Sequence, residues 1–122
     1  MKIKFRAYCK STDTFDFWEA KVGKEIWINS NHEEPELFSG IEDENKNEIY
    51  HNDIIEFRAN YSSQPCGYMK ALVQITPYGI KLHSENGFVY DPENEADEFP
   101  YNKCNLIGNI WHNVKLAKLF KK

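Results

Sequence analysis

Polar and apolar residues alternate from the start of the chain. Ile3, Phe5, Ala7 and Cys9 interleave with Lys2, Lys4, Arg6 and Tyr8. Successive side chains of a strand point to opposite faces, so this period of two predicts a half-buried strand with one wet, basic face. Ser11-Thr12-Asp13 then supplies turn chemistry, and Thr14 to Trp18 reads as the return strand. Ile26 and Ile28 predict another short strand, and Pro35 stops any ladder near it because proline has no N–H to donate.

The second half is patterned more strongly. Asp53 to Phe57 is a strand rich in β-branched and aromatic residues. In the following strand Met69, Ala71, Val73 and Ile75 share one face, and after the turn residues Pro77 to Gly79 the chain returns with Ile80 and Leu82 inward. Asn86-Gly87 offers left-handed dihedrals for a tight hairpin into Phe88 to Tyr90. Asn105 to Trp111 forms the last strand, where Gly108 permits a bulge and Ile110 is expected in the core. Asn113 is placed to cap a final helical turn whose shared face is Val114, Ala117 and Phe120.

These elements predict a mainly β protein. A small SH3-like β-barrel spans residues 50–122 and ends in a short C-terminal helix. Residues 1–49 form an N-terminal β-strand arm or second sheet packed on it, the whole being one compact unit. Closing the sheet removes edges that aromatic strands would otherwise present for aggregation.

Composition agrees with that picture. In 122 residues, 41% are apolar and 15% aromatic, enough to build a core. The net charge of −4 gives no overall attraction to phosphate backbones. The N-terminus carries charges at alternate positions rather than an apolar stretch, so it is not expected to be a signal peptide, and no apolar run is long enough to cross a bilayer. With Cys9, Cys66 and Cys104 far apart and odd in number, reduced thiols in a cytoplasmic protein are expected.

Three blocks bear a resemblance to a known family: "KIKFRAYCK", "FSGIEDENKNEIYHNDIIEF" and "LIGNIWHN". In order and spacing they resemble the YopX family of phage and prophage proteins over nearly the whole chain. The departures are Tyr8 for a Trp, Ser39 for a Thr, Lys46-Asn47 for Asn-Gly, and Asn52 for the Gly before Asp53. Asn is the non-glycine residue that best tolerates positive φ, so the turn before the strand survives. The resemblance implies a phage or prophage origin, and it implies no activity. In SH3-like barrels an acid at the Asp53 position accepts backbone N–H bonds in a turn, a structural task.

Candidate chemistry is sparse. His51 and Asp53 can share a strand face, but no nucleophile accompanies them. "HEEPE", His32 to Glu36, lacks the second histidine of a zinc helix, and Pro35 spoils the helix interior. The cysteines have no C-x-x-C spacing, so neither metal nor other cofactor is expected. There is no phosphate-cradling glycine loop. The dense carboxylates from Asp91 to Glu98 read as a solvated acidic loop, not a tuned acid–base pair.

The chain therefore reads as a non-catalytic protein-interaction module without a membrane span, with a host or phage protein as partner. Its expected contact surface is Glu42, Asp43, Glu44, Tyr61, Tyr78, Glu95, Asp97 and Glu98, acids and exposed aromatics suited to a basic partner. The alternative is a nucleic-acid-binding barrel, in which Tyr61, Tyr78 and Trp111 stack bases beside the stripe of Lys2, Lys4 and Arg6 and the C-terminal lysines.

Overall fold

A computed structural model describes residues 3–19, 31–59, 67–85, 87, 89–90 and 104–120. The expected strand around Ile26 and Ile28, and the acidic excursion from Asp91, lie outside them. Among the described residues, nine strands form two antiparallel sheets. In the first, β1 (Lys4–Cys9), β2 (Thr14–Glu19), β3 (Glu36–Glu42) and β4 (Glu48–Tyr50) run in the order β2-β1-β3-β4. The second contains β5 (Asp53–Ala59), β6 (Gly67–Thr76), β7 (Gly79–Ser84), β8 (Val89–Tyr90) and β9 (Asn105–Asn109), in the order β8-β7-β6-β5-β9. One of the sheets curls into a half-barrel. A single helical turn, α1 (Val114–Ala117), runs into a 3-10 turn at Lys118–Phe120. Among the described residues no helix is long and apolar enough to cross a membrane.

The core follows the alternation of the central strands. Ile55 and Phe57 of β5, Ala71 and Val73 of β6, and Ile80 and Leu82 of β7 pack together with Cys104. Ile49 of β4 joins them, and Ile41 of β3 packs alongside with Met69, Ile75 and Leu106. The first sheet thus contributes directly to the core of the second. Cross-strand partners keep the same-face residues together: Val73 lies opposite Leu82 and Ile75 opposite Ile80.

Two turns place glycine or asparagine at positive φ. Gly79 closes the β6–β7 hairpin at φ +117°, and Asn52 joins the two sheets at φ +71°. That left-handed conformation is where asparagine substitutes best for glycine. In the loop before β4 the left-handed residue is Lys46, at φ +64°.

The C-terminal segment differs from expectation. The last strand stops at Asn109, because the Asn109 side chain accepts the N–H groups of Trp111 and His112 and turns the chain. Ile110 therefore sits beyond the strand and is half-buried, not a core residue. The register between β5 and β9 shifts beside Gly108, the expected bulge. Asn113 makes no cap bond to α1; its Oδ1 accepts from the Asn109 N–H at 3.1 Å instead. On the helical turn it is Ala117 that is buried, with Leu116 and Phe120 half-buried and Val114 exposed.

A Cβ built at Gly108 would stand 2.5 Å from Asn113 Oδ1. Gly108→Ala should therefore destabilise the protein by about 1–3 kcal/mol through overpacking. Adding Asn113→Ala should recover part of that loss; urea denaturation of both single variants and the double variant measures the coupling.

Candidate functional site

Arg6 was expected on the wet face of β1, yet it is only 5% exposed. Its Nε donates to Glu36 Oε1 at 2.8 Å, and its Nη2 donates to Asp53 Oδ1 at 2.7 Å and to the His51 carbonyl at 3.3 Å. The guanidinium carbon lies 4.2 Å from the Phe15 ring centre and 4.9 Å from that of Tyr50. One cation thus joins a carboxylate of β3 to a carboxylate of β5, which ties the first sheet to the second. The planar fork of arginine suits this arrangement, since it can donate in its plane and stack on its faces.

The surrounding polar groups complete a network. Asn52 Nδ2 donates to Glu36 Oε2, Gln74 Nε2 donates to Asn52 Oδ1, and Trp111 Nε1 donates to Glu36 Oε2. Asp53 also performs the expected turn task, its Oδ2 accepting the Tyr50 N–H at 2.7 Å. The His51 ring is turned to β6 instead of to Asp53. Its Nδ1 accepts the Ile75 N–H at 2.8 Å, and burial holds its pKa below the ordinary value, so the ring is a neutral acceptor. Ser39 Oγ likewise accepts the Ile41 N–H at 3.0 Å.

The acidic tip divides into two parts. Glu42 and Glu44 are exposed as expected, but Asp43 is buried, so its carboxylate does not face solvent as the other two acids do. Its carboxylate accepts the N–H groups of Asn45, Asn47 and Leu106 and the side-chain amide of Asn47. Burial alone would push this acid up, but those donors together outweigh it and hold the pKa below the usual value. Tyr78 is 89% exposed on the β6–β7 turn. Tyr61, Glu95, Asp97 and Glu98 lie outside the described residues.

A different surface emerges on the Arg6 face of the first sheet. Phe17 of β2 is 60% exposed and packs edge-on against Tyr50. Beside it, Lys4 pairs with Glu48, and its ammonium is held above its ordinary pKa by that hydrogen bond first, with Glu19 and Glu42 adding to it. Further along, Phe15, Tyr8, Trp111 and His112 continue the aromatic row, with Tyr8 stacked on Trp111 at 5.1 Å. Of the basic stripe expected on this strand, Arg6 is buried and Lys4 is ion-paired, while Lys2 lies outside the described residues.

On the opposite face of the same sheet, Cys9, Asp16 and His32 come together, with one ligand atom from each lying within 4.8 Å of the others. Cys9 and Cys104 are both buried, and neither is in a disulfide. Hydrogen bonds from Ser11 and Thr12 bring the Cys9 thiol down to about 7, whereas burial pushes Cys104 up to about 11. No local spacing announces the Cys9–Asp16–His32 group, because a separate backbone segment delivers each residue. Searches with family models and among curated proteins return no match for the chain.

Removing Arg6 leaves two buried carboxylates without their cation. Arg6→Met should cost about 3–5 kcal/mol in urea denaturation despite its similar length and apolar character. The two buried aspartates should also give stability opposite pH slopes. Asp53 is pushed up to about 6, by burial first, against the pull of Arg6. A raised acid binds its proton more tightly in the folded chain. Its contribution is thus full below the ordinary carboxylate pKa and is lost as pH rises to about 6. Asp43, held low, contributes above the ordinary carboxylate pKa and loses that contribution as pH falls. Relative to Asp53→Asn, wild type should be favoured more at about pH 4 than at about pH 7, and relative to Asp43→Asn the reverse. Denaturant titrations at the two pH values check both signs.

Proposed function

We propose that this is a non-catalytic protein-interaction module of the YopX kind, encoded by a phage or prophage and acting in the bacterial cytoplasm on a host or phage protein. The family reading rests on the three sequence blocks, and the buried Asp53 and left-handed Asn52 fit the turn that the middle block describes. A meander whose fifth strand returns beside its first supports the SH3-like reading of the second sheet.

The observation that carries the interaction reading is the exposed Phe17 ring set among acids. Glu19, Glu42 and Glu48 all act on the Lys4 ammonium next to it, so the patch combines an apolar anchor with an acidic rim. Such a surface favours a partner that offers basic side chains around an apolar segment. A non-catalytic role is supported by the buried acids and their cation, since Arg6, Glu36, Asp53 and Asp43 all bind one another or the backbone. The nucleic-acid alternative has lost Arg6 as a phosphate contact and finds Lys4 paired, so among the described residues it rests on the exposed C-terminal Lys115 and Lys118.

Phe17→Ser should change stability by no more than about 0.5 kcal/mol, because the ring is largely exposed. The same variant should weaken a partner captured from cells carrying the phage by about 30-fold, the loss of one anchor residue. Added salt should weaken the wild-type complex as well. Equal capture by wild type and Phe17→Ser would remove this patch from the interface. Salt-sensitive retention on DNA without a protein partner would instead favour the nucleic-acid reading.

A further inference from the structure

We propose that Cys9, Asp16 and His32 form a binding site for one zinc-class divalent cation. Strand pairing builds the site. Cys9 lies opposite Thr14 in the β1–β2 ladder and forms a bridge with His32 on its other side. Asp16 lies opposite Ala7, two positions before Cys9 on the same face. Residues that pair across a ladder, or stand two apart along a strand, point the same way, so all three side chains converge above β1.

The atoms need only small adjustments to enclose an ion. Asp16 Oδ2 and His32 Nε2 are 2.7 Å apart, and the Cys9 sulfur lies within 4.8 Å of both ligand atoms. Around tetrahedral zinc, with metal–ligand distances of roughly 2.0–2.3 Å, ligand atoms stand roughly 3.2–3.8 Å apart. The carboxylate and imidazole therefore separate slightly while the sulfur moves in, shifts within the reach of side-chain rotation. Without metal, the Asp16–His32 contact occupies the same space.

The donor set selects the ion. A thiolate, an imidazole and a carboxylate match zinc and its first-row neighbours, whereas calcium and magnesium require oxygen donors throughout. The thiolate and carboxylate together also balance a charge of +2. Access is one-sided: the His32 side chain is 8% exposed and the Asp16 side chain 64%, so an ion enters past Asp16. Three protein ligands leave the fourth position for water on that open side. Bound metal would fasten the β1–β2 hairpin to the segment around His32, independently of the Phe17 patch on the other face.

The full chain, reduced and stripped with a chelator, should take up one equivalent of Zn2+, and its melting temperature should rise with the Zn2+ concentration. Co2+ should give a thiolate-to-metal charge-transfer band that disappears in Cys9→Ser. Asp16→Asn changes an exposed side chain, so it should fold as wild type does while binding Zn2+ roughly tenfold or more weakly. Absence of stoichiometric Zn2+ uptake, or of the charge-transfer band in wild type, would overturn the proposal. So would wild-type affinity in Asp16→Asn, which would place the metal elsewhere. Should Cys9→Ser fail to fold, the wild-type Co2+ spectrum and Asp16→Asn still decide.

Discussion

The Arg6 guanidinium is the point on which the two sheets meet. It is supplied by β1, held by Glu36 of β3, and reaches Asp53 at the first position of β5. Taking three charges out of water is costly, and their mutual attraction offsets that cost only when the remaining donors and acceptors are also bonded. They are: His51 offers its carbonyl to Arg6, Tyr50 its N–H to Asp53, and Asn52 and Trp111 their N–H groups to Glu36. The turn between the sheets is fixed by the same groups. The Asn52 N–H donates to the Val73 carbonyl and the His51 N–H to the Leu37 carbonyl, so the turn from β4 into β5 is tied to both β3 and β6. A slip of β1 by one residue would present Phe5 or Ala7 to the carboxylates and leave two buried acids without a cation.

Asp43 performs the corresponding task at the far end of the β3–β4 hairpin. It closes its own loop through Asn45 and Asn47 and then reaches Leu106 of β9, while the Glu44 N–H donates to the Cys104 carbonyl. The two aspartates differ in what surrounds them. Asp43 meets only donors, which favour its charged form. Asp53 shares one guanidinium with Glu36, so two negative charges compete for one positive charge in a dry site. That competition, added to burial, explains why their proton affinities move in opposite directions.

The fold was legible wherever one face of a strand is apolar throughout. Alternation located β5, β6 and β7 and their inward residues Ala71, Val73, Ile80 and Leu82. Turn chemistry located Gly79 and the left-handed Asn52. Arg6 escaped the same reasoning, because alternation assigns a charged residue to solvent and its partners lie 30 and 47 residues away. Asp43 was concealed by its exposed acidic neighbours Glu42 and Glu44. Its signal was nevertheless present: an aspartate followed by Asn45 and Asn47 is the composition of a side-chain-closed turn. Asn113 was misread for the converse reason, since a good capping residue next to a very short helix found a better use at Asn109. Cys9, Asp16 and His32 left no local trace, because only the order of strands in the sheet brings them together.

The β1–β2 hairpin feeds both faces of its sheet, and the period of two keeps the faces apart. Arg6 and its cross-strand partner Phe17 point one way; Ala7 and its partner Asp16 point the other. Phe17 and Asp16 are neighbours in sequence yet belong to separate surfaces, an aromatic patch with an acidic rim and a group of metal-compatible donors. Their backbone positions are set by the same ladder, which Arg6 and Glu36 anchor from the buried end. Exposed side chains on this hairpin can therefore vary with little effect on the scaffold, whereas the buried cation beneath them cannot. That division separates the buried network of Arg6, Glu36 and Asp53 from the exposed side chains of Phe17 and Asp16.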